Sequence, residues 1–183
     1  MEKRAGRKTL DMVYIALFAV VMAICSWIVV PMAVPFTLQT FGVFLAVLLL
    51  GGKRGALAVL LYILMGAVGL PVFSGFRGGL GALLGYTGGY ISGFFLLALT
   101  MWFFEAHWGK GVWIRRISMM LGLILCYAFG TIWYVVVYAK NVGKIGAVTV
   151  LLSCVVPFVI PDILKMMLAT TVSKRLTGAV RLW

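Results

Sequence analysis

An aspartate and a lysine stand three residues apart in the last long apolar stretch of the chain. The stretch "PFVIPDILKMML", residues 157–168, contains them as Asp162 and Lys165. Residues three apart share one face of a helix, and ionisable side chains inside membrane spans usually face a partner, a cavity or a substrate. Two interpretations stay open: an internal ion pair facing the bundle, or a polar solute whose carboxylate binds Lys165 and whose N–H donors bind Asp162.

Two prolines in the same stretch favour the solute-binding interpretation. Pro157 and Pro161 break the helical hydrogen-bond pattern, because proline has no N–H to donate and therefore frees a backbone carbonyl. Freed carbonyls are tolerated at membrane depth only against protein or a wet cavity. We therefore expect a cavity beside this helix.

A polar connection between the first two apolar stretches offers further hydrogen-bonding groups. The segment "VPFTLQTF", residues 34–41, contains Thr37, Gln39 and Thr40 behind a proline, Pro35, which disfavours helix at the residue before it. Either these side chains line a pocket, or they form an ordinary turn that caps the next helix. Residue types alone do not decide between the two.

A long glycine-rich segment, residues 69–90, provides the third part of a possible pocket. Loops of more than about 12 residues are often functional lids or binding loops. Phe73 and Tyr90 offer aromatic walls here, and Arg77 offers a charge at the rim. We predict all three as ligand-binding residues.

Small residues at a spacing of four allow helices to approach closely in lipid. Gly85, Gly89 and Gly93 have this spacing, and for them we predict helix packing. Ala19 and Ala23 repeat it in the first apolar stretch. Those two alanines are predicted either to pack within the bundle or to meet a partner subunit.

Motifs for catalysis, metal binding or nucleotide hydrolysis are absent from the sequence. No G-x-x-x-x-G-K-[ST], HExxH or GxSxG pattern occurs, and the other carboxylates are scattered. Cys25, Cys126 and Cys154 lack metal-ligand spacing and are predicted to be small buried residues. We expect neither an enzyme, nor a metal site, nor a bound cofactor.

Composition predicts an all-α integral membrane protein. The chain is 64 % hydrophobic and has a mean hydropathy of +1.14, far more apolar than soluble domains. A span takes about 20 apolar residues, and the second and third stretches are short for a full crossing. We predict one transmembrane domain over residues 1–183 with six helices, at residues 12–30, 36–51, 55–70, 87–104, 117–138 and 147–170.

Positive charges are concentrated on one side of these predicted spans. The chain has 16 basic and 4 acidic residues, and the positive-inside rule then places both termini in the cytoplasm. Arg77, Lys140 and Lys144 fall on the other side, so the charge indicates membrane topology and not nucleic acid binding. The basic residues on the predicted cytoplasmic side are Lys3, Arg4, Arg7, Lys8, Lys53, Arg54, Lys110, Arg115, Arg116, Lys174, Arg175 and Arg181.

Five segments of the sequence resemble the BioY family, the biotin-specific substrate-binding components of energy-coupling factor transporters. They are "VPFTLQTFGVFLA", "LLLGGKRGALAVLLY", "GAVGLPVFSG", "GGLGALLGYTGGYISGF" and "PFVIPDILK", and the resemblance runs nearly end to end. The family typically has proline where this chain has Gly52 and Tyr86. The resemblance implies six helices with cytoplasmic termini and capture of biotin on the outer side of a prokaryotic cell membrane.

The resemblance also implies partners and residue roles. Energy for uptake would come from a membrane coupling subunit and two ATP-hydrolysing subunits. Asp162 and Lys165 match ligand contacts, and Gln39 and Tyr90 match recurring positions near the pocket. In this transporter class the alanine pair of the first helix belongs to the surface that meets the coupling subunit, which points to Ala19 and Ala23 here.

Two other functional classes remain as alternatives. One is a stand-alone ion-coupled secondary transporter of a small carboxylate solute, with Asp162 as the titrating group. The other is a membrane enzyme that uses Asp162 and Lys165 as an acid–base pair. Six short spans with one intramembrane carboxylate leave little for a coupling relay, so we favour the biotin-binding interpretation.

Overall fold

The computed structural model describes the backbone of residues 2–30, 36–143 and 145–177, and their side chains from residue 8 onward. Seven helices and one two-stranded antiparallel sheet occur in this part of the chain. Val29 pairs with Thr37 and Val30 with Phe36. The elements are α1 (Glu2–Trp27), β1 (Val29–Val30), β2 (Phe36–Thr37), α2 (Gln39–Ala67), α3 (Leu80–Leu84), α4 (Gly88–Trp108), α5 (Val112–Asn141), α6 (Ala147–Cys154) and α7 (Val156–Leu176).

Five of the described helices are long and apolar enough to span a membrane, so the predicted count of six is not confirmed. They are α1 from Lys8 onward, α2, α4, α5 and α7. Most of the predicted second and third spans falls within α2, and the predicted sixth span is divided between α6 and α7. The predictions for the first, fourth and fifth spans overlap with α1, α4 and α5, with ends that differ by 1 to 10 residues.

The helix α2 contains a sharp reversal at Gly51. This residue has φ 76° and ψ 167°, a conformation that glycine adopts without the steric cost of a side chain. A Cβ placed on Gly55 would lie 2.8 Å from the Cα of Val47. Residues four positions to either side of Gly51 therefore touch, which means that the two arms of α2 fold back along each other. The arms, residues 39–50 and 52–67, are roughly 18 and 24 Å long.

Glycines allow close packing between α4 and α5. A Cβ on Gly89 would lie 2.2 Å from the Cβ of Trp133, and one on Gly93 would lie 3.1 Å from the Cα of Cys126. The predicted packing role is confirmed for these two residues. Gly85 lies before α4, and its carbonyl instead accepts a hydrogen bond of 2.9 Å from the indole nitrogen of Trp133.

Ala19 and Ala23 lie inside the bundle, in the main hydrophobic core, with exposed fractions of 0 % and 3 %. The prediction of an outward docking face at these residues is wrong for this structure. Their small side chains belong to the side of α1 that packs on α2, where a Cβ on Gly42 would come within 3.2 Å of the Cα of Met22. The exposed apolar side chains of this part of α1 are Leu17, Val20 and Ile24.

Basic side chains from four parts of the chain gather at one end of the bundle, which we call the basic end. Arg54 pairs with Asp11 at 2.9 Å, which joins the α2 reversal to α1. Arg115 at the start of α5 pairs with Glu105 near the end of α4 at 3.0 Å. Among the described side chains, which do not include those of Lys3, Arg4 and Arg7, the one-sided charge pattern of the sequence thus forms a cluster at one end of the bundle. Two residues of the predicted pattern, Lys144 and Arg181, lie outside the described residues.

Candidate functional site

A cavity lies among α2, α4, α5, α6 and α7, toward the end of the bundle opposite the basic end. We call it the central cavity. Polar side chains from the start of α2 and from α7 face aromatic and apolar side chains of α4, α5 and α6. The lining residues are Thr37, Gln39, Thr40, Ser74, Thr87, Tyr90, Ile91, Phe94, Cys126, Tyr127, Cys154, Phe158, Asp162 and Lys165.

A buried ion pair forms the polar wall of the central cavity. The ammonium nitrogen of Lys165 lies 2.7 Å from Oδ1 of Asp162, and the two side chains are only 7 % and 3 % exposed. The internal ion pair that the sequence left open is therefore present in the structure. Because a buried charge is costly without a partner, each residue makes the other tolerable at this depth.

Two hydroxyl groups complete the polar wall. Thr40 donates to Oδ1 of Asp162 at 2.8 Å and accepts from the Lys165 ammonium at 3.0 Å, while Tyr127 donates to Oδ2 of Asp162 at 2.6 Å. The Lys165 nitrogen also lies 4.1 Å from the centre of the Phe36 ring, within the range of a cation–π contact. The cluster joins β2, α2, α5 and α7.

The local sequence explains why the pair faces the cavity. Asp162 and Lys165 are three residues apart in α7 and therefore share one face. Pro157 stands in the first turn of α7, where a missing N–H costs little, and Pro161 lies inside the helix. Pro161 has no N–H to donate to the carbonyl four residues earlier. The first turns of α7 therefore contain fewer backbone hydrogen bonds than those of an ordinary helix.

Gln39 joins the site to a second hydrogen-bond network. Its side-chain nitrogen donates to the hydroxyl of Tyr62 at 2.6 Å, and that hydroxyl donates to the carbonyl of Val72 at 2.9 Å. The hydroxyl of Thr37 accepts a hydrogen bond of 3.2 Å from the backbone N–H of Gln39. Of the two interpretations that the sequence left open, the cavity lining is therefore the one the structure supports: the Thr37 bond closes the turn, but no described side chain caps α2.

The structure brings five of the seven predicted ligand-binding residues together. Asp162, Lys165, Tyr90, Gln39 and Thr37 all line the central cavity. Their contact with a ligand stays a prediction.

Arg77 and Phe73 line a second cavity, which we call the adjoining cavity. Phe73 is 1 % exposed and packs edge-on against Tyr62, with ring centres 5.5 Å apart, so it belongs mainly to the core. Arg77 is exposed, and no carboxylate lies within ion-pair distance of it in the part of the chain that the structure describes. The two cavities share Ser74, Thr87 and Ile91 as lining residues.

Sequence reasoning missed Tyr127 and gave Thr40 no role in the charge cluster. One signal for Tyr127 was available, since a tyrosine in the middle of an apolar span usually needs a hydrogen-bond partner for its hydroxyl. Its partner, Asp162, is 35 residues away, so only the tertiary structure identifies it. Cys126 and Cys154, predicted as buried residues, are buried and contribute to the cavity wall.

Known proteins similar to this chain are biotin transport proteins. A model described as the BioY family matches residues 1–182. The probable biotin transporter BioY of Pyrococcus horikoshii is 38 % identical over 172 residues, 93 % of this chain and 98 % of that protein. The biotin transporter BioY of Thermotoga maritima is 38 % identical over 161 residues, 87 % and 91 % of the two chains.

A solved structure is similar to the whole bundle. It is the crystal structure of the S-component for biotin from an ECF-type ABC transporter, in which ECF stands for energy-coupling factor. The TM-score is 0.80 and the sequence identity is 27 %, and the match covers 94 % of this chain and 93 % of the other.

Proposed function

We propose that this chain, which belongs to the BioY family, is the biotin-binding subunit of an energy-coupling factor importer. Members of this family are biotin transporters and not enzymes, and the apolar helices fit a multi-pass protein of a prokaryotic cell membrane. The observation that carries the proposal is the Asp162–Lys165 pair, buried at one wall of an otherwise largely apolar cavity. Separate coupling and ATPase subunits would supply the energy for uptake.

The polar wall matches the ureido group of biotin. That group carries two N–H donors and one carbonyl acceptor, and it is uncharged. An ion pair is also uncharged as a unit, while it offers carboxylate oxygens to donors and an ammonium to an acceptor. Asp162 and Lys165, assisted by Thr40 and Tyr127, would therefore bind the ureido group. This assignment replaces the earlier expectation that Lys165 binds the carboxylate, because Asp162 already neutralises Lys165.

The carboxylate of biotin would then lie in the adjoining cavity near Arg77. The described carboxylates Asp11 and Glu105 are at the basic end, and Asp162 pairs with Lys165. Arg77 is thus a cation without an acidic partner among the described residues, at the wall of a cavity that meets the central one. The aromatic residues Tyr90, Phe94 and Phe158 would pack against the thiophane ring.

The sizes of the two cavities support a ligand that extends through both. The central cavity has a volume of about 80 Å³ and the adjoining cavity about 260 Å³. Pockets for small molecules are typically about 300–1,000 Å³, so neither alone is large enough, whereas both together reach that range. Three residues line both cavities: Ser74, Thr87 and Ile91. They would have to leave enough room between the central and the adjoining cavity for the bound ligand.

The topology we propose has six crossings and cytoplasmic termini. The arms of α2 would count as two short membrane helices, because the chain reverses at Gly51. The basic end would face the cytoplasm by the positive-inside rule. The central cavity lies toward the opposite end, at the starts of α2, α4 and α7, and would therefore receive biotin from outside. Ala19 and Ala23 would serve the coupling subunit only indirectly, by fixing the position of α1.

Uptake into vesicles tests this function against the ion-coupled alternative. We expect the purified chain alone to bind radiolabelled biotin, and vesicles to accumulate it only when the coupling subunit, both ATPase subunits and ATP are present. Accumulation driven by a pH gradient in vesicles that hold this chain alone would contradict the proposal and support a secondary transporter.

A further inference from the structure

A cavity at the basic end is larger than either cavity near the ion pair. It has a volume of about 640 Å³ and opens among α1, the reversal of α2 and the end of α4. Both charged and apolar side chains line it: Lys8, Asp11, Met12, Ile15, Leu50, Lys53, Arg54, Leu57, Trp102, Glu105, Ala106 and Lys110, together with Gly51 and Gly52. We call it the basic cavity.

Positive charge exceeds negative charge in the lining of the basic cavity. Its two carboxylates are already engaged: Asp11 pairs with Arg54, and Glu105 accepts from Arg115 at 3.0 Å and from the backbone N–H of Gly52 at 2.7 Å. Because both carboxylates already have partners, they offset the charge of any other cation in the cavity only in part.

Two lysines of the lining have no carboxylate partner among the described side chains, Lys8 and Lys53. Lys53 lies 5.9 Å above the ring of Trp102, a contact that orients the side chain and leaves its charge in place. The cavity therefore presents two lysine charges to whatever occupies it.

On two walls of the basic cavity, a charged residue lies near the end of the bundle and an apolar residue lies further toward its middle. On α1, Lys8 is nearer the terminus and Met12 lies one turn, about 6 Å, further along the helix. On the second arm of α2, Lys53 comes first and Leu57 lies one turn further. Met12 and Leu57 are 62 % and 44 % exposed. The lining thus changes from cationic at the end of the bundle to apolar and uncovered toward its middle.

We propose that the basic cavity binds an anionic phospholipid of the membrane leaflet at this end. The phosphate would lie between Lys8 and Lys53, and the acyl chains would cover Met12 and Leu57. Basic pockets between membrane helices at the cytoplasmic side bind such headgroups. An acidic protein segment would match the charge, but the exposed apolar residues toward the membrane middle match acyl chains. The proposal is independent of biotin and of the central cavity.

A lipid in this place would hold α1 against the reversal of α2. The Arg54–Asp11 ion pair already links these elements, and each of its side chains is 29 % exposed. Since such pairs are screened by solvent, a phosphate that contacts lysines from both elements would strengthen the same junction.

Lipid retention by the intact chain tests the proposal. The probes are phosphatidylglycerol and phosphatidylcholine with identical acyl chains, added to delipidated protein in neutral detergent and counted by native mass spectrometry. We expect phosphatidylglycerol to bind at least about tenfold more tightly, because each lysine near an anionic headgroup contributes roughly fivefold. The variant K8Q/K53Q should lose this preference. The variant K174Q/R175Q removes equal charge at the same end but outside the basic cavity, and it should keep the preference. Unchanged biotin binding shows that both variants are folded.

Three results would overturn the proposal. One is equal retention of the two lipids by the unaltered chain. Another is an equal loss in K174Q/R175Q and K8Q/K53Q, which would indicate general attraction to a basic surface and no defined site. The third is displacement of the lipid by inorganic phosphate at the same concentration, which would mean that acyl chains contribute nothing and that the cavity is a simple anion site.

Discussion

The two ends of the bundle contain the same kinds of ion pair at very different depths. At the basic end, Arg54 and Asp11 are each 29 % exposed. At the other end, Lys165 and Asp162 are 7 % and 3 % exposed, Thr40 bonds to both of them, and Tyr127 donates to Asp162. Exposed pairs contribute about 0–1 kcal/mol to stability, whereas breaking a buried pair costs about 3–5 kcal/mol. Burial therefore distinguishes these two pairs, and the second pair of the basic end, Arg115 and Glu105, lies between them with side chains 22 % and 6 % exposed.

Replacing Lys165 should have the largest effect. In K165A the Asp162 carboxylate would be left buried without its ammonium partner, and we expect biotin affinity to fall by about 2–5 kcal/mol. Equilibrium dialysis with radiolabelled biotin measures the change. K174A removes a lysine from the same helix at the basic end and should leave affinity unaltered. Normal affinity in K165A would show that the pair takes no part in binding.

Replacing Tyr127 by phenylalanine should have the next largest effect on the site. The variant loses a hydroxyl that donates to a buried carboxylate at 2.6 Å, and such hydrogen bonds to charged groups contribute about 1.5–3 kcal/mol. Biotin affinity, measured calorimetrically, should fall accordingly. Tyr138 stacks on Tyr134 and lines neither cavity of the site, so Y138F is the matched control. Equal losses in the two variants would contradict the assigned role of Tyr127.

A double-mutant cycle in the ligand-free protein measures how strongly the two residues of the buried ion pair interact. D162N, K165A and the double variant should show a coupling free energy of about 0.5–3 kcal/mol in unfolding stability, because the two side chains contact each other at 2.7 Å without any ligand. Denaturation of the detergent-solubilised chain provides the values. Additive effects within error would mean that the pair forms only when a solute bridges the residues.

The smallest effect is expected at the basic end. R54Q breaks the ion pair with Asp11, yet both partners are partly exposed to solvent, so stability should change by less than about 1 kcal/mol. Biotin affinity should remain that of the unaltered chain. Thermal unfolding and equilibrium dialysis on the same preparation check both expectations. A large loss of stability or of biotin affinity would contradict them, because the pair at the basic end would then contribute as much as the buried pair.

Much of this arrangement was predictable from local sequence. Apolar composition predicts the helices, and the i,i+3 spacing of Asp162 and Lys165 places them on one face. The reversal at Gly51 was predictable in part, since two short apolar stretches flank "GGKRG". That the two stretches form arms pressed together depends on Gly55 lying against Val47.

Other features depend on contacts that local sequence does not encode. In lipid both faces of a helix are apolar, so hydropathy does not tell which side of α1 is turned inward. The spacing of Ala19 and Ala23 for that reason left packing and docking both open, and the docking face implied by the family resemblance does not fit their burial in this structure. Asp162 accepts hydrogen bonds from two hydroxyl groups, those of Thr40 and Tyr127, which lie 122 and 35 residues away from it in the sequence. The path of the glycine-rich segment places Arg77 in the adjoining cavity and not in the central one, and local sequence does not predict that path.

The most direct test of the account compares three ligands on the unaltered chain by equilibrium dialysis. They are biotin, biotin methyl ester, which lacks the free carboxylate, and diaminobiotin, in which the ureido carbonyl is missing. The account predicts that diaminobiotin loses far more affinity than the ester, because the buried pair recognises the ureido group while the exposed Arg77 recognises the carboxylate. A greater loss for the ester than for diaminobiotin would contradict this assignment and return the carboxylate to Lys165.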